Sequence, residues 1–169
     1  MKEEFTFFWS GVFSQWYFAE INIDGMSYDC CEQYMMYKKA MLFNDIDIAN
    51  QIMATKSPKN QKALGRKVSG FNKAKWDAIA KQVVYDANYA KFTQHVQLLE
   101  ELLNTGNTTI VEASPYDRIW GIGLSASDPR AQDRNQWRGT NWLGEVLTQV
   151  REDILAQATS ANILVDNIP

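Results

Sequence analysis

Histidine is nearly absent from these 169 residues; there is one, His95. Nucleophilic triads and Cys-His pairs need a histidine base, and His95 falls on a stretch otherwise devoted to packing, so that chemistry is excluded. Cysteine is almost as scarce, with only Cys30 and Cys31, and they are adjacent. Sequence neighbours rarely form a disulfide because the geometry demands strain. No CxxC pair and no Cys/His spacing suits a metal. The expectation is reduced, partly buried thiols, no metal, and a cytoplasmic location. No apolar run approaches the roughly twenty residues that cross a bilayer, so no membrane partner is expected. The opening Met1-Lys2-Glu3-Glu4 lacks the charged-then-apolar order of a signal peptide. An excess of positive charge is also missing. The net charge is −3 and the pI near 5.2, which gives no basic footprint for tight nucleic-acid binding. Lys56, Lys59, Lys62, Arg66 and Lys67 read as a solvated helix face.

Aromatic residues, in contrast, are plentiful: six Trp, seven Tyr and eight Phe. They are enough to supply flat binding surfaces as well as core. The length predicts one domain, residues 1–157, with a weakly patterned tail at 158–169. Residues 5–23 alternate enough to predict short strands around a turn at Ser10-Gly11, and Asp24-Gly25 signals another turn. A helix is predicted over Tyr28 to Phe43. A second, capped by Asn44, carries Ile46 to Met53; a third starts at Ser57-Pro58; a fourth is capped by Asn72. Tyr89, Phe92, Val96, Leu99 and Leu103 are spaced three and four apart, which predicts a buried helical stripe. Thr109-Ile110-Val111 is strand-like, and Leu143 to Leu155 form the last amphipathic helix. The fold class is therefore α+β, a predominantly α-helical single domain with a few short strands.

Chemistry concentrates in two places. One is Glu112 to Gly123, where an acid, a cation, a Trp and two permissive glycines fall within a few residues. Asp117 follows Pro115-Tyr116, where short acids hydrogen-bond to backbone or face a ligand. Trp120 precedes Gly121; a bare glycine lets a ligand approach the backbone, and a neighbouring indole can stack on a ring. The third glycine of a dinucleotide fingerprint is missing. The other place is Cys31-Glu32-Gln33-Tyr34. Glu32 lies near a helix start, where a carboxylate offsets the helix dipole or lines a polar pocket with Lys39 two turns on. Arg118, Arg130, Arg134 and Arg138 are either surface residues and internal ion pairs or, collectively, cations for a phosphorylated ligand. Asn141 is either a helix cap or a polar ligand contact. The distance in sequence between the two clusters predicts a site assembled from distant parts of the chain.

These residues together resemble the NADAR family, also called YbiA-like, from Phe8 to Leu155. The landmarks are Phe13-Ser14-Gln15-Trp16-Tyr17, Cys31-Glu32-Gln33-Tyr34-Met35-Met36 with Lys39-Ala40, Leu64-Gly65-Arg66, Lys91-Phe92, Asp117-Arg118-Ile119-Trp120-Gly121-Ile122-Gly123 and Trp137-Arg138-Gly139-Thr140-Asn141. The longer segment Ser125 to Arg138 sets the chain apart from the YbiA branch. It reads as an ordered loop that borders a pocket or closes over it.

The resemblance implies an N-glycosidase that hydrolyses a ribose C1–N bond without a cofactor. It implies a small phosphorylated ribosyl or ADP-ribosyl substrate, such as a riboflavin-biosynthesis intermediate. Two alternatives are an ADP-ribosyl-guanine hydrolase acting on modified DNA and a non-catalytic ADP-ribose binder. Cleavage builds positive charge on the sugar, which a carboxylate stabilises. The expected catalytic residues are Glu32, the family's central acid, and Asp117. The expected substrate contacts are Trp120, Lys39, Arg118, Asn141, Tyr34 and Gly121.

Overall fold

The structure, a computed structural model, describes residues 2–166, with side chains described to residue 161. Its internal contacts divide the chain into two compact units. One is Phe8–Glu101; the other is the chain up to Phe7 and from Leu102 onward.

The strand expected before Ser10-Gly11 forms as β1 (Phe5–Phe8), but Trp9 to Phe18, where the other was expected over Trp16-Tyr17-Phe18, is irregular. Strands β2 (Ile21–Ile23) and β3 (Met26–Tyr28) follow as an antiparallel hairpin pairing Ile21 with Tyr28. The two-residue turn between them has Asp24 at φ 52° and Gly25 at φ 80°. Positive φ at both positions matches the right-handed twist of the strands, which is why Asp-Gly marks this turn. Pairing of Tyr28 into β3 delays helix α1, which runs Cys31–Leu42 rather than from Tyr28. Every residue from Cys30 to Met36 is buried, because α1 packs against α2 (Ile46–Ala54), α3 (Pro58–Gly65) and α4 (Lys73–Gln94). Gly65 makes the α1–α3 approach possible: a Cβ there would lie 2.1 Å from the Met36 sulfur.

The helix caps follow the sequence with one exception. Ser57 Oγ accepts the Asn60 N–H at 3.3 Å, and Asn72 Oδ1 accepts the Lys75 N–H at 3.0 Å. Asn44 is not the cap of α2. It closes α1 in a left-handed conformation, φ 57°, and Asp45 caps α2 by accepting the Ile48 N–H at 3.2 Å. Asn tolerates that conformation because its short amide bonds locally.

The expected stripe from Tyr89 to Leu103 is broken. α4 ends at Gln94, His95 is extended, and α5 runs Val96–Leu103. The break shifts the helical phase, so Val96 is 74% exposed while Leu98 and Leu102 are buried. His95 Nε2 shares a hydrogen bond with the Glu20 carbonyl at 2.6 Å.

In the second unit β1 (Phe5–Phe8) pairs with β4 (Thr109–Glu112), and α6 (Trp142–Asp166) packs on β4. α6 therefore passes the boundary expected at 157. Residues 167–169 of the expected tail lie outside the described residues. Val111, Ile122, Leu124 and Ala131 form a core against Phe5, Phe7 and Trp137. Among the described residues no helix is long and apolar enough to cross a membrane.

Among the described residues Arg151 is the largest fully buried side chain, 1% exposed. Its guanidinium donates to Thr105 Oγ1 and the Thr108 carbonyl, each at 2.7 Å, and to Glu152 at 2.9 Å. Arg151→Met keeps the bulk but strips the loop 105–108 of these donors. The variant should lose about 2–4 kcal/mol of stability, read from the midpoint of urea unfolding.

Candidate functional site

Glu32 is the second residue of α1 and is 6% exposed. The first N–H groups of a helix have no intrahelical partner, and the cap residue Cys30 offers no side-chain bond. The Glu32 N–H instead donates to the Gln15 carbonyl at 3.0 Å. Lys39, two turns on, is half-buried with its ammonium 4.7 Å from the centre of the Phe71 ring. Burial depresses the Lys39 pKa below that of an ordinary lysine, and the opposing pull of Glu32 does not restore it; nearby Arg66 adds to the depression. Glu32 and Lys39 lie seven residues apart, on one face of α1.

Tyr34 does not join them. It lies about 200° around α1 from Glu32. There it is 3% exposed and meets Tyr28 edge-on at 5.0 Å. Expected as a substrate contact, it packs between α1 and the hairpin. Gln33 is likewise structural: it accepts the Asp29 N–H at 2.7 Å and donates to the Ile52 and Thr55 carbonyls.

Two more polar residues lie inside this unit, one of them, Lys91, a landmark of the family resemblance. Asn88 and Lys91 on α4 are both 0% exposed. They are in helical phase with Val84 and Ala87, so the signal was an amide and an ammonium on a buried stripe. Lys91 Nζ donates to the Ser14 carbonyl at 3.1 Å and sits 5.3 Å from the Tyr17 ring centre. Burial lowers its pKa, against smaller opposing effects of the two cysteines.

In the other unit Asp117 holds a turn. Its Oδ1 accepts the Ile119 N–H at 2.9 Å and the Trp120 N–H at 2.8 Å. Its own N–H donates to Ser114 Oγ at 3.2 Å. Of its two sequence-level roles, backbone bonding is thus present in the geometry. A ladder then ties 118–122 to 138–143. Arg138 N–H donates to the Ile122 carbonyl at 2.8 Å, Thr140 to Arg118 at 3.0 Å, Asn141 to Gly121 at 3.1 Å and Leu143 to Trp120 at 3.1 Å. Two motifs separated in sequence become one surface this way. Gly121 has to be bare, since a Cβ would lie 2.9 Å from the Glu112 carbonyl and 3.0 Å from its carboxylate. Trp120 is half-buried and meets Trp142 edge-on at 5.6 Å.

Asn141, expected as a cap or a ligand contact, is 0% exposed. Its Oδ1 accepts the Glu112 N–H at 2.9 Å and its Nδ2 donates to the Ile110 carbonyl at 3.0 Å. Both ends of the amide thus bond to β4.

The four arginines separate into two pairs. Arg130 binds Asp128 at 2.7 Å, and its guanidinium holds that carboxyl down to about 2. Arg134 joins Glu3 and Glu145. Arg118 and Arg138 are exposed and stand outside these ion pairs. Both flank Gly123, whose φ is 69°; a Cβ there would touch Arg138 Cβ at 3.0 Å and Arg118 Cγ at 3.1 Å. The segment Ser125 to Arg138 is anchored within its unit: Ala131 is 0% exposed, Trp137 Nε1 donates to the Ala131 carbonyl at 2.8 Å, and Trp137 packs 5.3 Å from Phe5.

A family model described as the NADAR domain matches residues 7–155. The chain belongs to the NADAR family. Protein irg-1 of Caenorhabditis elegans is 47% identical over 131 residues, 76% of this chain; the chain spans 62% of the length of that relative. N-glycosidase R617 of Acanthamoeba polyphaga mimivirus is 44% identical over 147 residues, 84% of this chain and 86% of that one. The solution structure of the Escherichia coli protein YbiA superposes with a TM-score of 0.77 at 27% identity, covering 94% of this chain and 89% of the other. The α+β, mainly helical fold is that of YbiA, and by reaction type this NADAR protein is an N-glycosidase, an enzyme that hydrolyses N-glycosyl bonds.

The two thiols are free and buried. Burial pushes Cys30 up to about 11 and Cys31 up to about 12. The thiolate is the reactive form, so at pH 8 the native protein should show almost no labelling by a thiol reagent such as iodoacetamide over an hour. Labelling of two thiols should follow urea unfolding, read by intact mass.

Proposed function

We propose that this N-glycosidase cleaves the ribose C1–N bond of a small phosphorylated ribosyl or ADP-ribosyl metabolite, with a riboflavin-biosynthesis intermediate as the leading case. The observation that carries the reading is Glu32: an acid nearly removed from solvent, fixed at the start of a helix and accompanied by the Lys39 cation. A carboxylate in such surroundings is suited to a substrate that develops positive charge.

In the proposed reaction the C1–N bond breaks and its electron pair leaves with the nitrogen of the base, which then takes up a proton. The sugar passes through an oxocarbenium-like state that Glu32 stabilises. A water attacks C1 and gives its proton to the carboxylate, which releases it to solvent as the base nitrogen takes one up, so that the carboxylate is restored. In the other unit Asp117 has a carboxylate oxygen not used in its turn, suited to a ribose hydroxyl or a water. Trp120 stacks on the leaving base, and the bare backbone at Gly121 lets the ligand approach. Within its own unit Lys39 is a cation suited to phosphate; in the other, Arg118 and Arg138 are so suited, because both flank Gly123 and, among the described residues, stand outside the ion pairs of Arg130 and Arg134. Asn141 contributes through the loop it holds, and Tyr34 through the packing of α1.

Incubation with a ribosylamino-pyrimidine phosphate, ADP-ribosylated guanosine and NAD, followed by mass detection of released base, tests the substrate class. Release of the pyrimidine supports the leading case. Release of guanine alone selects the ADP-ribosyl-guanine hydrolase. Ligand retention with no product selects a binding module. Glu32→Gln should lower turnover by at least about a hundredfold at an unchanged melting temperature; wild-type turnover by this variant would overturn the assignment. Arg118→Ala and Arg138→Ala should each raise KM about tenfold with kcat within about twofold, the signature of lost ground-state binding to a phosphate.

A further inference from the structure

Asn88 and Lys91 take no part in the reaction proposed above, yet they are among the most deeply buried polar side chains of their unit. Burying such groups costs free energy unless each is bonded, and their bonds share a direction. Asn88 Nδ2 donates to Gln15 Oε1 and to the Val84 carbonyl, each at 2.8 Å. Asn88 Oδ1 accepts from the Cys31 thiol at 3.7 Å. Lys91, one turn on, holds the Ser14 carbonyl at 3.1 Å. Two adjacent residues of one irregular loop are therefore gripped from the same face of α4. The next link is the Gln15 carbonyl, which accepts the Glu32 N–H at 3.0 Å. Asn88 thus touches the residue preceding Glu32 on one side, and on the other the residue that caps its amide. Without a side-chain cap on α1, the Gln15 carbonyl is what fixes the backbone at Glu32.

We propose that Asn88 is a positioning residue for Glu32: through Gln15 and Cys31 it sets the first turn of α1 and so the direction of the carboxylate. The proposal rests on the reading of Glu32 as the reacting acid. An acid that must face one carbon loses rate when its helix start is free to fray by a fraction of an ångström. The same fraying hardly alters contacts that bind the rest of the substrate. The expected signature is a loss in kcat without a loss in KM.

The test compares Asn88→Leu, Gln15→Leu, the double variant and Glu32→Gln on the substrate that the wild type turns over. Asn88→Leu and Gln15→Leu should each lower kcat about tenfold with KM within about twofold, and the double variant should be no slower than the slower single one, as members of one chain of contacts behave. Hydrogen exchange at the Glu32 amide should accelerate in both single variants. Gln15 is only half-buried, in a loop, so its variant carries the test if Asn88→Leu does not fold. Faster exchange at Glu32 with unchanged kcat in Gln15→Leu would overturn the proposal. So would a rise in KM alone, or a doubly reduced rate that multiplies. Retained turnover in Glu32→Gln is a separate result, which sinks the reading of Glu32 itself.

Discussion

Asn141 carries more of its unit than its size suggests. It sits at φ 53°, in the left-handed region that few residues other than glycine tolerate. Its N–H reaches Gly121, its amide bridges Ile110 and Glu112, and its carbonyl accepts the Glu145 N–H at 2.9 Å. One residue thereby joins strand β4, the Asp117–Gly123 turn and the start of α6. Glycine would suit the backbone but could not supply the amide. A branched residue could supply neither. Gly144 completes the arrangement, since a Cβ there would lie 2.1 Å from the Ile110 carbonyl and 2.4 Å from the Asn141 amide.

The other unit solves the same physical problem differently. Its irregular segment, Trp9 to Phe18, has no ladder to satisfy its carbonyls, so polar side chains from a helix reach in to bond them. Lys91 does this for the Ser14 carbonyl, while Asn88 holds the Gln15 side-chain amide and the Gln15 carbonyl goes to the Glu32 N–H. Gln33 and Gln61 do it for the end of α2, with the Gln61 amide 2.8 Å from the Thr55 carbonyl. A buried amide that saturates backbone groups costs little and fixes a loop. An amide without such partners would cost a few kcal/mol. Polar residues inside this fold are therefore concentrated where the backbone is irregular.

That pattern also explains what the sequence discloses. Helix starts at Ser57-Pro58 and Asn72 and the Asp24-Gly25 turn were legible because the side chain itself makes the local bond. The Glu32–Lys39 relation followed from helical spacing alone. The partners of Tyr34 were not legible because α1 is buried nearly all round its first turns: when every face is covered, spacing no longer tells which side a residue's partners lie on. Asn141 was weighed as a cap or a ligand contact, yet its bonds run to a strand some thirty residues earlier in the chain, and no local pattern reports such a partner. Val96 failed for the opposite reason. The periodicity was sound, but a single extended residue at His95 reset the phase.

The charge distribution bears on how a chain of net charge −3 would meet a phosphate. Net charge governs the distant field, whereas binding depends on the cations left over after internal pairing. Arg130 and Arg134 are offset by Asp128, Glu3 and Glu145. Arg118 and Arg138 are not in those pairs, and the missing side chain of Gly123 leaves room for both to lie against the same turn. Both side chains start at that turn with their charges outside the pairs made by Asp128, Glu3 and Glu145. A guanidinium in that condition keeps its planar fork of donors for an external anion, and two forks rooted at one turn can each offer a bidentate contact.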